Sequence, residues 1–289
     1  MIAGPNGSGK STLINALRAD ARFKLPALYI NADDLQRERG ISDPRQAQQL
    51  ANELRAQALA ARQDVMYETV MSHPSKLAEL QQAKSAGYDI TVILVATDNP
   101  NVNVERVAAR VAAGGHDVPE DRTRERYART LALAPVAIGY ANQAAVFDNT
   151  RGGDTGGGLS EQAALAGDRL VMTGATAAPW VERLVVQVNE RAAELNSLAT
   201  AVESNGVPPQ LARLHDSQST GPMAVFTQHY VLQYNEQTRS AIIHDRTLLG
   251  ALKSQLVLRQ PLTVRYDEGA ASTVPLQRDR HKEGRGREE

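Results

Sequence analysis

The chain contains no cysteine. Disulfide bridges, thiolate metal sites and a thiol nucleophile are therefore excluded, and the composition suits a reducing interior. Aromatic residues make up only 4%, so a core has to be assembled from Ala, Val, Leu and Ile. No apolar run reaches the roughly 18 residues that a membrane-spanning helix needs, and no signal-peptide pattern opens the chain. A cytoplasmic protein without membrane contact is expected. Neither sign of charge is in excess, the formal net charge being -1, so nothing draws the molecule as a whole to nucleic acid or to a lipid surface. There is no internal repeat. What is present is 289 residues, 42% of them hydrophobic, enough for one domain of moderate size and a second, smaller unit.

The most informative stretch is Gly4-Pro5-Asn6-Gly7-Ser8-Gly9-Lys10-Ser11-Thr12. A Gly, four residues and then Gly-Lys-Ser is the pattern of a phosphate-binding loop. Its glycines let the backbone turn its N–H groups inward, its lysine reaches the β- and γ-phosphates, and its hydroxyl, here that of Ser11, ligates Mg²⁺. Leu13, Ile14 and Leu17 follow at helical spacing, which predicts a helix whose N-terminal dipole favours the same anion. Only Met1-Ile2-Ala3 precede the loop, whereas a buried strand usually has about five residues. The central strand is expected to be a stub, or to continue upstream of the sequence given.

Beyond the loop, short apolar runs alternate with helical stretches. Leu28-Tyr29-Ile30 leads to Asn31-Ala32-Asp33-Asp34, Val65-Met66-Tyr67 to Glu68-Thr69, Ile90 to Ala96 is followed by Asp98, and Ala145-Val146-Phe147 by Asp148-Asn149. Helices are expected over 43–63, from Ser75 to Gly87, over 102–113 and over 119–144. Such alternation, with unbroken apolar strands, predicts an α/β fold with a doubly wound parallel sheet covered on both faces, and ligands at the C-terminal strand ends where the acids fall. The glycine-rich segment 151–158 reads as a surface loop. A strand over 168–173 and a helix from Pro179 to about Thr200 follow, with Trp180 packing that helix onto the domain. Strand-like runs at 224–233, 241–244 and 262–266 suggest a small β-rich C-terminal module. The expected organisation is a phosphate-loop α/β domain over 1–195, a helix end and linker over 196–220, the β-rich module over 221–275 and a charged, disordered tail over 276–289.

Phosphoryl transfer needs positioning, cations to absorb charge and a group to take the acceptor's proton. Asp33 is the candidate base, Asp34 the candidate cap of the following helix. On an extended segment the two side chains face opposite ways, so only one of them is expected to meet the ligand. Glu68 could hold the acceptor or a metal-bound water, with Thr69, Ser72 and His73 around it, although a lone histidine beside a proline is more often structural or merely exposed. Arg106 and Arg110 lie four apart on one predicted helix, and Arg122, Arg126 and Arg129 share a face of the next. Facing arginines can close over phosphates as a helical lid, since guanidinium groups stay charged and bind oxygens in a fork. Exposed pairing with Glu105, Glu120 and Glu125 is the alternative.

The order of phosphate loop, strand ending Asn31-Ala32-Asp33, strand ending Glu68-Thr69 and arginine-rich hairpin resembles the zeta toxin family of P-loop kinases. Within that family it is most similar to a bacterial branch carrying Glu68-Thr69-Val70-Met71-Ser72-His73-Pro74-Ser75-Lys76 and Gly114-Gly115-His116-Asp117-Val118-Pro119. The resemblance implies that Lys10 and Ser11 bind ATP with Mg²⁺, that Asp33 is the general base, that Glu68 contacts the acceptor, and that arginines among Arg110, Arg126 and Arg129 stabilise transferred charge. Members of the family phosphorylate a hydroxyl of UDP-N-acetylglucosamine, so a small-molecule acceptor of nucleotide-sugar type and an antitoxin partner are implied too. The competing expectation is an ATP-hydrolysing switch whose C-terminal module engages a partner. A polynucleotide acceptor is disfavoured by the lack of a broad basic stripe.

Overall fold

The computed structural model describes residues 1–21, 24–115, 117–152 and 158–274. The glycines within 153–157, His116 of the second motif and the expected tail over 276–289 lie outside them. The chain divides into two compact units, Met1–Ala193 and Glu194–Glu289.

The first unit runs β1 (Ile2–Ala3), α1 (Lys10–Ala19), β2 (Leu28–Ile30), α2 (Ala32–Glu38), α3 (Pro44–Ala60), β3 (Val65–Thr69), α4 (Ser75–Ser85), β4 (Thr91–Ala96), α5 (Pro100–Ala112), α6 (Glu120–Tyr140), β5 (Gln143–Asp148), β6 (Ser160–Ala166), β7 (Arg169–Met172) and the start of α7 (Pro179–Glu203). Its strands form one sheet in the order β2-β3-β1-β4-β5-β6-β7. The first five are parallel and the last two antiparallel. The central strand is two residues long, but bonds continue on either side of it: Ile93 N–H donates to Met1 C=O at 2.9 Å and Gly4 N–H to Thr69 C=O at 3.2 Å. The antiparallel pair includes a strand with no clear signal, because Ser160–Ala166 lacks β-branched residues and strand propensity is read largely from them.

The two faces of this sheet are sorted by the period of two along each strand. Met66 of β3 joins Leu13, Ile14 and Leu17 of α1 and Ile2 and Val95, with Tyr29 and Phe147 packed against them. Tyr67 and Ile30 point the other way, to Ala51 with Leu35 and Leu54. Each fully buried Leu or Ile contributes about 1.5–3 kcal/mol. The same count sends Glu68, and Asn31 after β2, back to the face that carries α1. Behind the sheet, between α3 and α4, Glu79 binds Arg55 at 3.0 Å and Lys76 at 2.5 Å. Burial raises the Glu79 pKa, yet Lys76 and Arg55 together outweigh it and hold the carboxyl below its ordinary value. Lys76, the last residue of the first motif, is thus part of the packing.

The second unit holds the end of α7 and β8 (Pro209–Leu211), β9 (Ser217–Phe226), β10 (Tyr230–Asn235), β11 (Ser240–Asp245), a 3-10 turn at Gly250–Gln255, β12 (Pro261–Asp267) and β13 (Ala270–Val274). The order is β13-β12-β9-β10-β11-β8. The expected linker over 196–220 therefore contains a helix end, β8 and the start of β9. The run expected as one strand over 224–233 is two, turned where Thr227 pairs with Tyr230, its N–H donating to Tyr230 C=O at 3.0 Å and its Oγ1 accepting Tyr230 N–H at 3.1 Å. The turn residues Gln228-His229 lack the Asn-Gly type signal that marks a hairpin in sequence. Leu195, Leu198 and Val202 of α7 cover Tyr230, Leu232, Ala241 and Ile243.

Residues of opposite phase in these strands form a buried polar chain. Tyr266 Oη lies 3.1 Å from His244 Nδ1, His244 Nε2 is 3.1 Å from Gln233 Oε1, and Ser219 Oγ donates to that same oxygen at 2.5 Å. Burial lowers the His244 pKa from 6.5 to about 4. Between those values the unfolded chain takes up a proton that the folded one does not, so stability present above pH 6.5 is lost as pH falls toward 4, by about 3 kcal/mol in all. Thermal unfolding of the full chain between pH 7 and 4.5 should show this loss, and His244→Gln should have a shallower pH dependence than wild type.

Candidate active site

The phosphate loop leaves β1 at the middle of the sheet and enters α1. Its glycines are required by what stands behind it. Gly9 has φ +96° and a Cβ there would lie 2.2 Å from Asn149 Nδ2, while Gly7 has φ +74° and a Cβ would lie 2.6 Å from Asn103 C=O. Both asparagines hold the loop from outside: Asn149 Nδ2 donates to Ser8 C=O at 2.9 Å and Asn103 Nδ2 to Asn6 C=O at 2.6 Å. Both are buried. Asn103 is itself fixed by the Thr97 hydroxyl, which donates to its Oδ1 at 2.5 Å.

Lys10 donates to Gly4 C=O at 2.9 Å and Pro5 C=O at 3.0 Å, across the mouth of the loop. Burial lowers its pKa, and Arg110 and Arg126 push the same way, while Glu68 and Asp33 push it back up. Two carboxylates and two arginines thus converge on the lysine from β3, α2, α5 and α6. Ser11 Oγ donates to Glu68 Oε1 at 3.2 Å. The other oxygen, Oε2, accepts from Tyr29 Oη at 2.8 Å and Asn31 Nδ2 at 2.6 Å.

Asp33 and Asp34 are not on an extended segment. The chain turns helical directly after β2, and Asn31, not Asp34, is the cap, its Oδ1 accepting from Asp33 N–H at 2.8 Å and Asp34 N–H at 3.4 Å. Asn31 has the extended backbone that an N-cap needs. Consecutive positions on a helix are separated by about 100° rather than opposed, so both acids line one cleft. That cleft has a volume of about 690 Å³ and is also lined by Ser11, Tyr29, Asn31, Arg18, Arg110 and Gly114. Asp34 is engaged by Arg37 at 2.8 Å. Asp33 is exposed.

Among the arginines, Arg126 is half-buried and its Nη1 donates to the Asn6 side chain of the loop at 3.4 Å. Burial, Arg122 and Arg129 lower its pKa, with Glu125 and Asp33 opposing. Arg110 lines the cleft. Arg122 is exposed, and so is Arg129, which pairs with Glu125 at 2.7 Å. Arg106, expected in the lid, instead donates to the carbonyls of Asn149, Thr150 and Gly152. One turn before Arg110, α5 runs beside the exit of β5, and the guanidinium meets backbone oxygens there.

Thr69 closes a turn, its Oγ1 accepting from Met71 N–H at 3.0 Å, and Met71 is buried with φ +54°. Ser72 follows at the entry to α4. His73 Nδ1 lies 3.0 Å from Ser75 Oγ and accepts Ser75 N–H at 3.2 Å, so its ring is held against the first residue of α4. Asp148, one of the strand-end acids, accepts from Trp180 Nε1 at 2.7 Å and from Thr150 Oγ1 at 2.6 Å. It anchors α7 rather than facing the loop.

The family model described as Zeta toxin matches residues 1–136, and an uncharacterized protein of Haemophilus influenzae (strain ATCC 51907 / DSM 11121 / KW20 / Rd) is 30% identical over 129 residues, 43% of this chain and 88% of that protein. The chain belongs to the zeta toxin family. Among solved structures, this zeta toxin family member is similar to AvrRxo1-ORF1 in complex with AvrRxo1-ORF2 and sulphate ions, at 14% identity and TM-score 0.47, covering 64% of this chain and 62% of that one. It therefore spans about three-fifths of the length of that chain. It is also similar to the structure titled for the PezAT chromosomal toxin-antitoxin system of Streptococcus pneumoniae, at 16% identity and TM-score 0.40, covering 66% and 83%. No helix among the described residues is long and apolar enough to cross a membrane.

Four residues that build this zeta toxin site are not among the candidate site residues read from sequence: Asn103 and Tyr29, and also Asn31 and Asn149, which stand beside the strand-end acids Asp33 and Asp148. Asn103 stands four residues before Val107 on the buried stripe of α5, and a polar residue on such a stripe is the one available signal. Asn149→Ala removes a buried donor from the Ser8 carbonyl. It is expected to cost about 1–3 kcal/mol, read as a lower midpoint in chemical denaturation with an unchanged slope.

Proposed function

We propose that the protein is an ATP-dependent kinase that transfers the γ-phosphate to a hydroxyl of a small molecule, with residues 1–193 as the kinase domain and 194–274 as an appended module. The observation that carries this reading is one cleft lined both by Ser11, where the phosphate loop ends, and by Asp33. A phosphate donor and a proton acceptor then face the same space. The loop amides and the N-terminus of α1 would bind the β- and γ-phosphates, and Lys10 would exchange its contacts with Gly4 and Pro5 for phosphate oxygens.

For Mg²⁺, the Ser11 hydroxyl and a Glu68 carboxylate oxygen are the hard oxygen donors the ion prefers. Their separation of 3.2 Å is near the roughly 3 Å between adjacent oxygens of an octahedron with bonds of about 2.1 Å. These two residues would hold it, and the ion when bound would neutralise charge on the phosphate oxygens. Asp33 takes the proton of the acceptor hydroxyl, the new P–O bond forms in line, and the bond to the leaving ADP oxygen breaks. Lys10, Arg110 and Arg126 hold the charge that is passed on, and Arg126 reaches the loop already.

The acceptor is proposed to be of nucleotide-sugar type, such as UDP-N-acetylglucosamine, and a proteinaceous antitoxin is the partner that family membership suggests. Incubation with γ-labelled ATP and a panel of nucleotide sugars should give a labelled phosphosugar. Release of inorganic phosphate alone would instead favour a hydrolytic switch. Lys10→Ala should abolish transfer. Asp33→Asn should lower kcat by about 10²–10⁴-fold with nucleotide affinity unchanged in equilibrium binding, and normal turnover in that variant would remove Asp33 from the scheme.

A further inference from the structure

Glu68 is held in an unusual way for a carboxylate beside a lysine and two arginines. Its Oε2 is filled by two neutral donors, Tyr29 Oη at 2.8 Å and Asn31 Nδ2 at 2.6 Å, which also touch each other at 3.0 Å. Its Oε1 is left for Ser11. Neutral donors orient a carboxylate without cancelling its charge, whereas an arginine in the same place would form a charge-compensating fork. Such an arrangement suits an oxygen that must meet a cation.

The supporting groups are themselves fixed. The Arg18 guanidinium lies over the Tyr29 ring, 4.3 Å from its centroid. Asn31 is pinned through its other atom, Oδ1, which caps α2. All three side chains, Tyr29, Asn31 and Glu68, leave their strands on the face that carries α1, as the period of two requires.

Resting on the kinase reading above, we propose that Tyr29 and Asn31 are positioning residues that hold Glu68 Oε1 toward Ser11 and thereby set the affinity of the site for its divalent cation. Residues that orient a metal ligand typically change metal affinity by about 10–100-fold when removed.

The test is Mn²⁺ binding to the full chain, followed by electron paramagnetic resonance with a non-hydrolysable ATP analogue present, together with analogue binding in EDTA. Tyr29→Phe removes only the phenol donor, and Asn31→Ser keeps a cap acceptor while losing the reach to Glu68. Each is expected to weaken Mn²⁺ binding about 10-fold, to leave analogue binding in EDTA unchanged, and to recover turnover as Mg²⁺ is raised. Mn²⁺ affinity equal to wild type in both variants, or equal losses with and without metal, would overturn the proposal and leave the kinase reading standing. Absence of Mn²⁺ and analogue binding in the wild-type chain would overturn both.

Discussion

A backbone that turns a succession of N–H groups inward must turn its carbonyls outward, and those oxygens need donors of their own. In this protein the donors are two buried asparagine side chains, one on α5 and one just past β5, bonded to Asn6 and Ser8. They stand so close behind the loop that only glycine fits at positions 7 and 9. The shape of the loop is therefore a joint product of β1, α5 and β5, and the helix that carries Arg106 and Arg110 is tied to it by the same bonds.

The acidic side of the site follows from a simpler rule. Alternation along β3 sends Met66 to α1, Tyr67 to α3 and Glu68 again to α1. The carboxylate emerges beside the first helical turn because the strand is in register with the stub β1, Ile2 lying opposite Glu68. Opposite faces of one strand thus serve different ends: Glu68 meets Ser11 at the start of α1, while Tyr67 lies under the Arg55 guanidinium, 5.0 Å from its ring centroid, where it helps to pack α3.

The phosphate loop, the parallel sheet and the convergence of Asp33, Glu68 and arginines on one place were legible in the chain because each depends on local pattern: a spaced glycine motif, unbroken apolar runs, acids at strand ends. Features set by what packs against a residue were not. Arg106 and Arg110 look alike in sequence, yet one meets carbonyls beyond β5 and the other lines the cleft. Asp148 looks like Glu68, but an indole reaches it first. The extended form assumed for Asp33-Asp34 failed because an asparagine two residues earlier could cap a helix there, a competition between strand and turn that short polar side chains decide locally. In the second unit the buried Gln233 and His244 hid the strand alternation behind polar residues.

Asn31 serves two masters with its two amide atoms. The oxygen starts the helix that carries Asp33, and the nitrogen steadies the carboxylate next to Ser11. A substitution at this position is felt at both places at once, because only a side chain able both to give and to receive at short range can serve the two. Aspartate here would keep the first ability and set a second negative charge against the first carboxylate.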